Sequence, residues 1–229
     1  MYQYGTWRFF VLESPIMELL AKLFGNGDKV KIMRLFVLNP DLAVTTEEVA
    51  RRARVPITQA RRELAGLESL NFLRSKTTLS PISIPGDGAI SLKKKKTKPK
   101  VKRKRGWQLD TTFPFLTQLK SILKTDLLTH RRDFAKRFNH CGKIKLLAIA
   151  GIFIDAPDSR ADLIIVGDGL KKRLIEKEVQ VLESEIGKEL VYAVFDSDDF
   201  DYRLNACDKF VRDILDFPHE KIINRGYPQ

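Results

Sequence analysis

Cysteine is scarce: the chain has only Cys141 and Cys207 in 229 residues. Neither belongs to a CxxC pair, and the histidines (His130, His140, His219) complete no metal-ligand set. A disulfide framework and a structural zinc are therefore not expected, and two reduced thiols in a cytoplasmic protein are. Long apolar runs are missing too. The longest, residues 146–154 (LLAIAGIFI), is about half of a membrane span, so no membrane partner is expected. A glycine-rich phosphate loop is also lacking: Gly167-Asp168-Gly169 has neither the spacing nor the lysine, and reads as a strand-to-helix turn. No metal or cofactor is expected. The first residues, MYQYGTWRFFVLESPIM, lack a basic start and are interrupted by Glu13, which argues against a signal peptide. Met17 reads as a natural start, leaving residues 1–16 as either a misassigned extension or a short arm packing on the body.

What the chain does have is positive charge, unevenly placed. Residues 1–110 hold 22 Lys+Arg against 10 Asp+Glu, whereas residues 111–229 hold 19 of each, so the whole net charge of +12 lies in the first half. Such asymmetry points to a polyanion partner for one module and a different role for the other. Much of the excess sits in residues 77–105, which begin TTLSPISIPGDGAIS and end KKKKTKPKVKRKR. Ten of those last thirteen residues are basic, a run that repels itself and cannot bury a core.

On either side of that segment the patterning is regular. Residues 15–38 keep helical spacing, interrupted at Gly25-Asn26-Gly27-Asp28, which predicts two helices with the second capped by Asn26 or Asp28. Thr45-Thr46-Glu47-Glu48 is a capping box in which Thr45 accepts from an amide three residues on and Glu48 reaches back. Arg54-Val55-Pro56 makes a turn. A further helix over about 57–69 buries Ile57, Ala60, Leu64 and Leu67. Strands over 71–75 and 106–110 then form a hairpin around the basic segment. A capped helix, a turn, a second helix and a hairpin make a winged helix-turn-helix, whose second helix enters the major groove of DNA. Thr58, Gln59, Arg61, Arg62 and Ala65 face outward. Arginine can pair with guanine there and glutamine with adenine. Arg51 and Arg52, with Arg54, suit phosphates, as do the wing cations Lys93, Lys94, Lys95, Lys96, Lys98, Lys100, Lys102, Arg103, Lys104 and Arg105. Helices follow over about 115–123 and 127–138. The remainder alternates: strand 144–154, strand 161–166, helix 170–186, strand 190–195, helix 199–215. That order suggests a small α/β domain. The expected class is α+β, with an extension (1–16), a winged-helix domain (17–112), a helical linker (113–142) and a C-terminal domain (143–229).

Three stretches carry a likeness to a known family: LAKLFGNGDKVKIMRLFVLNP, ARRELAGLESLNFLRS, and ADLIIVGD with LESEIGKELVYAVFDSDDFDYRL and FVRDIL. Over roughly residues 17–223 the chain resembles prokaryotic proteins that join a winged-helix regulator of the arsenical-repressor type to a minimal nucleotidyltransferase-fold domain. The resemblance implies a Gly-Ser turn after the first strand of that domain, an Asp-x-Asp about ten residues on, and a third carboxylate on a later strand, together holding two divalent metals. Here the turn is Gly151-Ile152, the second motif is Arg160-Ala161-Asp162, and the later strand, around Val191-Tyr192-Ala193, has no carboxylate. A lone Asp162 cannot hold a metal pair, which implies a catalytically silent domain with Gly151, Arg160 and Asp162 as a vestigial nucleotide site. Arg160 there would stand in for metal charge. Asp196, Asp198 and Asp199 read as helix-start residues.

Three functions fit this sequence. The first is a dimeric, double-stranded-DNA-binding transcriptional regulator without enzyme activity, whose C-terminal domain binds a nucleotide weakly or contacts a protein. The second is an active nucleotidyltransferase using Asp162 with Asp155 or Asp158. The third is a sequence-tolerant nucleic-acid binder driven by the lysines.

Overall fold

The computed structural model describes residues 15–81, 101–125, 131–156 and 158–227. Residues 1–14 of the extension expected over 1–16, and the cations Lys93, Lys94, Lys95, Lys96, Lys98 and Lys100, lie outside these; residues 15 and 16 begin a helix. The chain is a mixed α+β protein with two sheets.

Helix α1 (Pro15–Phe24) opens on proline, whose missing amide costs nothing at a first helical position, and is followed by Gly25 at φ +99°. Helix α2 (Gly27–Leu38) is capped by Asn26, whose side chain accepts from the Lys29 amide at 2.6 Å. Of the two caps expected, the structure uses Asn26. Val30, Ile32, Met33, Arg34, Leu35, Phe36 and Val37 of α2 are all buried, so this helix is surrounded by others on every side. A two-residue strand β1 (Val44–Thr45) leads into α3 (Thr46–Ala53), with Thr45 capping through the Glu48 amide at 3.3 Å. Arg54 ends α3 in the left-handed conformation, and α4 (Ile57–Ser69) follows.

The hairpin is longer than its sequence suggests. Strands β2 (Leu73–Pro81) and β3 (Val101–Leu109) stay paired from Leu73↔Leu109 to Pro81↔Val101, and β1 adds to β3. The strand ends expected at 75 and 106 are thus corrected outward. The pairing explains why: each cation of β3 faces a neutral residue, Arg105 against Thr77, Lys104 against Thr78, Arg103 against Leu79 and Lys102 against Ser80, so no like charges oppose one another across the ladder.

Helix α5 (Leu116–Thr125) places Leu123, with Phe113, Leu116 and Leu119, on the core of α1–α4 and the hairpin. Helix α6 (Arg131–Phe138) places Phe134 and Phe138 on a second core instead. The helices expected as one linker therefore serve different cores.

The second sheet runs β6-β5-β4-β7, from β4 (Lys143–Ile149), β5 (Leu163–Asp168), β6 (Tyr192–Asp196) and β7 (Glu220–Asn224). β4 is antiparallel to β5 and β7, and β5 is parallel to β6 through the crossover helix α7 (Lys172–Ile186). Residues alternate between faces: Ile144, Leu147, Ile149, Leu163 and Ile165 pack with α6 and α7, and Leu146, Ala148, Ile164 and Val166 pack on the opposite side. Central strands covered on both faces explain the unbroken apolar runs in sequence. Three expectations need correction here. The strand expected over 144–154 stops at Ile149, because Gly151 turns at φ +54° into a 3-10 turn (Gly151–Phe153). The helix expected over 199–215 is two, α8 (Ser197–Asn205) and α9 (Lys209–Asp216), parted by Cys207 at φ +53°, with Asp208 capping the second. β7 was not foreseen; it is short and half-exposed, without a strong pattern.

The two cores meet at a polar joint. Arg34, 2% exposed, donates to the Leu123 carbonyl at 3.1 Å and to the Glu185 carbonyl at 2.9 Å. Asn39 donates to the Gly187 carbonyl at 2.8 Å. Gly187, at φ +84°, lies so near α2 that a Cβ would stand 2.5 Å from the Leu35 nitrogen. Among the described residues no helix is long and apolar enough to cross a membrane.

Candidate nucleic-acid interface

Helix α4 buries Ala60, Leu64 and Leu67 as its spacing requires, and exposes Thr58, Arg61, Arg62 and Ala65. Ile57, expected inside, sits in the first turn and is 38% exposed. The unforeseen residue is Glu63, which is buried. Its Oε1 accepts from Asn26 Nδ2 at 3.0 Å and from Gln59 Nε2 at 2.9 Å, with Arg62 Nη2 at 3.4 Å. Gln59 is therefore drawn along the helix toward Glu63 and not outward, while Thr58, Arg61 and Arg62 remain on the open face. Spacing could not reveal this, because a carboxylate at an inward position becomes tolerable only once distant Asn26 supplies a donor.

The root of the hairpin is fastened to the helices. Arg105 Nη2 reaches both Glu68 oxygens at 2.7 and 2.8 Å, its Nε donates to Ser75 Oγ at 3.1 Å, and its guanidinium lies 4.7 Å from the Trp107 ring centre. Trp107 Nε1 donates to Thr46 Oγ1 at 3.1 Å, and Lys104 pairs with Glu47 at 3.6 Å. Lys104 and Arg105 thus orient the hairpin on α3 and α4. Exposed pairs of this kind contribute about 0–1 kcal/mol each, so a phosphate can compete for them. Arg103 is exposed, and the backbone of Lys102 is paired in the ladder.

Arg51 and Arg52 are placed differently from expectation. Glu48 does not serve the capping box; it takes Arg51 at 2.7 and 2.9 Å and Arg52 at 2.6 Å, and the Arg51 hydrogen bond leads in holding its carboxyl down to about 2. Arg52 also reaches Glu189 at 3.4 Å, so both arginines line a cleft between α3 and the turn after α7, away from the exposed face of α4.

In the second sheet, Gly151 and Asp162 do come together. Asp162 Oδ1 accepts from the Ile152 amide and Oδ2 from the Val191 amide, each at 2.9 Å, and any Cβ on Gly151 would collide with Asp162 Oδ1. Arg160, expected beside Asp162, is instead paired with Asp213 of α9 at 2.6 Å. Asp155 is exposed and pairs with Lys124 at 3.6 Å, Asp158 is exposed, and no three His, Cys, Asp or Glu cluster for a metal among the described residues. Asp196 occupies the N-cap position of α8, with Asp198 and Asp199 in its first turn and Asp199 paired with Arg203. Cys141 is buried, and burial pushes its thiol up to about 11.

Asp162 is therefore a staple joining two loops. Asp162→Ala is expected to cost about 2 kcal/mol, since each hydrogen bond to a charged acceptor is worth roughly 1.5–3 and exposed amides recover part from water. A urea melt of the variant reads this directly; an unchanged midpoint would remove the staple role.

No family model matches this chain, and no curated protein or solved structure is significantly similar to it.

Proposed function

We propose that this chain is a site-specific double-stranded-DNA-binding regulator whose second half is a catalytically silent nucleotidyltransferase-like domain. The observation that carries the reading is the open face of α4, with Thr58, Arg61 and Arg62, together with a hairpin whose strand β3 carries the last four cations of a ten-cation run. In this reading α3, the Arg54 turn, α4 and the β2–β3 hairpin are a winged helix, with α4 in the major groove and the hairpin cations on flanking phosphates. The three positions at which the resembled family carries its catalytic groups meet at Asp162, which bonds to both Ile152 and Val191. That convergence supports the nucleotidyltransferase-like assignment. Two carboxylates missing from the set, and backbone amides on both oxygens of the third, support catalytic silence.

A homodimer follows from the same reading, because paired half-sites on one face of DNA lie about 34 Å apart. Leu19 and Leu23 of α1, 63% and 67% exposed, and Phe115 before α5, 64% exposed, are apolar side chains a second copy could cover. A cytoplasmic location accords with two unpaired cysteines.

The test is recovery and sequencing of fragmented genomic DNA bound by the full chain at about 0.15 M salt, where exposed charges are already partly screened. Enrichment of a short site supports the regulator; uniform recovery transfers the reading to a sequence-tolerant binder. On an enriched site, Arg62→Ala is expected to cost about 1–3 kcal/mol and to cost little on random duplex. Equal losses on both would count against base reading by α4.

A further inference from the structure

The cleft lined by Arg51 and Arg52 has a volume of about 520 Å³ and lies between the two halves of the chain. One wall is the end of α3 with Arg51, Arg52 and Arg54. The other is the end of α7 and the turn after it, with Gln180, Glu183, Lys188 and Glu189, and apolar Leu35 and Leu190 also line it. Its carboxylates are already engaged: Glu183 accepts from the Leu190 amide at 2.9 Å, and Glu189 pairs with Arg52. Arg51 and Arg52 share Glu48. The Arg54 backbone amide caps α3 on the Arg51 carbonyl at 3.3 Å, but the side chains of Arg54 and Lys188 form no hydrogen bond or ion pair with any described residue, and both residues are exposed at the cleft, one from each half. The cavity thus presents two uncommitted cations, while Arg51 and Arg52 are matched in charge by Glu48 and Glu189.

The wall bearing Lys188 is itself held in shape. Asp162 grips the Val191 amide and donates its own amide to the Val191 carbonyl at 2.6 Å, while Gly187 is locked to Asn39. Loop and helix are therefore preorganised around the space, which lowers the ordering cost of binding.

We propose that this cleft binds a small phosphorylated molecule of mononucleotide size, its phosphate held by Arg54 and Lys188. Guanidinium and ammonium groups both suit phosphate, arginine through its planar fork and lysine as a point charge. A cavity of this volume falls in the range of small-molecule sites, roughly 300–1,000 Å³, and is too small for a duplex. The site is separate from Gly151, Arg160 and Asp162, and its ligand would touch both halves of the chain at once.

The test is calorimetric titration of the full chain with ATP, AMP and inorganic pyrophosphate at about 0.15 M salt, with citrate as the non-phosphate anion. Saturable binding of at least one phosphate compound is expected, weakened at least tenfold by R54E/K188E. Those two side chains are exposed and unpaired, so the variant should melt at the parent temperature. A second variant with Lys93, Lys94, Lys95 and Lys96 changed to glutamine should bind as the parent does, which separates the cleft from the lysine run. No saturable heat with any phosphate compound would overturn the proposal. So would equal binding by R54E/K188E, loss of binding in the lysine variant alone, or citrate binding as tightly as the phosphates. DNA takes no part in the readout, so a chain that bound ATP but no duplex would sink the regulator reading and leave this site standing.

Discussion

Changing Lys93, Lys94, Lys95, Lys96, Lys98 and Lys100 to glutamine should weaken duplex binding by about a thousandfold at near-physiological salt, the largest effect expected of any change in this chain. The reason is counterion release. Each phosphate neutralised contributes about −0.9 to the slope of log affinity against log salt, so six contacts account for a slope of about −5. The loss should be the same on a selected site and on random duplex, because lysine clusters carry no base code. Fluorescence anisotropy across a potassium chloride series reads both quantities. A slope unchanged by the substitutions would mean that the run makes no phosphate contacts. The contrast with Arg62→Ala is informative: the lysine variant should lower every affinity, whereas the arginine variant should lower mainly one. Lys104 and Arg105 are left intact in this experiment because they also hold the hairpin root through Glu47 and Glu68.

Gly187→Ala should lower stability by about 3 kcal/mol, from left-handed strain of roughly 1 kcal/mol and an overpacking cost of about 1–3. The glycine sits at φ +84°, and a Cβ would stand 2.5 Å from the Leu35 nitrogen and 2.7 Å from the Arg34 carbonyl carbon. Those are backbone atoms of the most buried helix, and they cannot swing aside as a flexible side chain would. Relief requires α7 to back away from α2, which would stretch the Asn39 bond to Gly187 and the Arg34 bond to Glu185. Gly169→Ala is the matched control: φ is +60° there, but a Cβ meets nothing within 4 Å, so only the strain of about 1 kcal/mol applies. Urea denaturation of both variants makes the comparison. Equal costs at the two glycines would mean that the joint is not tightly packed.

Much of this architecture was legible locally. The i, i+4, i+7 spacing of Ala60, Leu64 and Leu67 is enough to orient α4, and Thr45 announces the start of α3. The apolar runs of β4 and β5 mark central strands, although they also carried the reading of β4 past Gly151, where a positive φ ends it. These features were readable because periodicity, capping and the exclusion of water act over a few residues. The uneven charge was equally plain, and it places the whole net charge of +12 in the first half.

Other features depended on partners far along the chain. Whether Gln59 points outward rests on Glu63, and a buried Glu63 rests on Asn26, 37 residues away. Arg52 reads as a phosphate contact until Glu189 is found beside it. Asp162 and Arg160 read as neighbours in one site, yet packing of α9 drew Arg160 to Asp213 while Asp162 closed on Val191, 29 residues on. The sequence by itself determined the α+β class, the helices up to α7, the presence of the hairpin and the half that carries the positive charge, because short-range sterics and solvation settle those. Tertiary structure decided which charged groups stay available and how the halves join, because a charged side chain takes whichever partner the packed fold brings within hydrogen-bond reach.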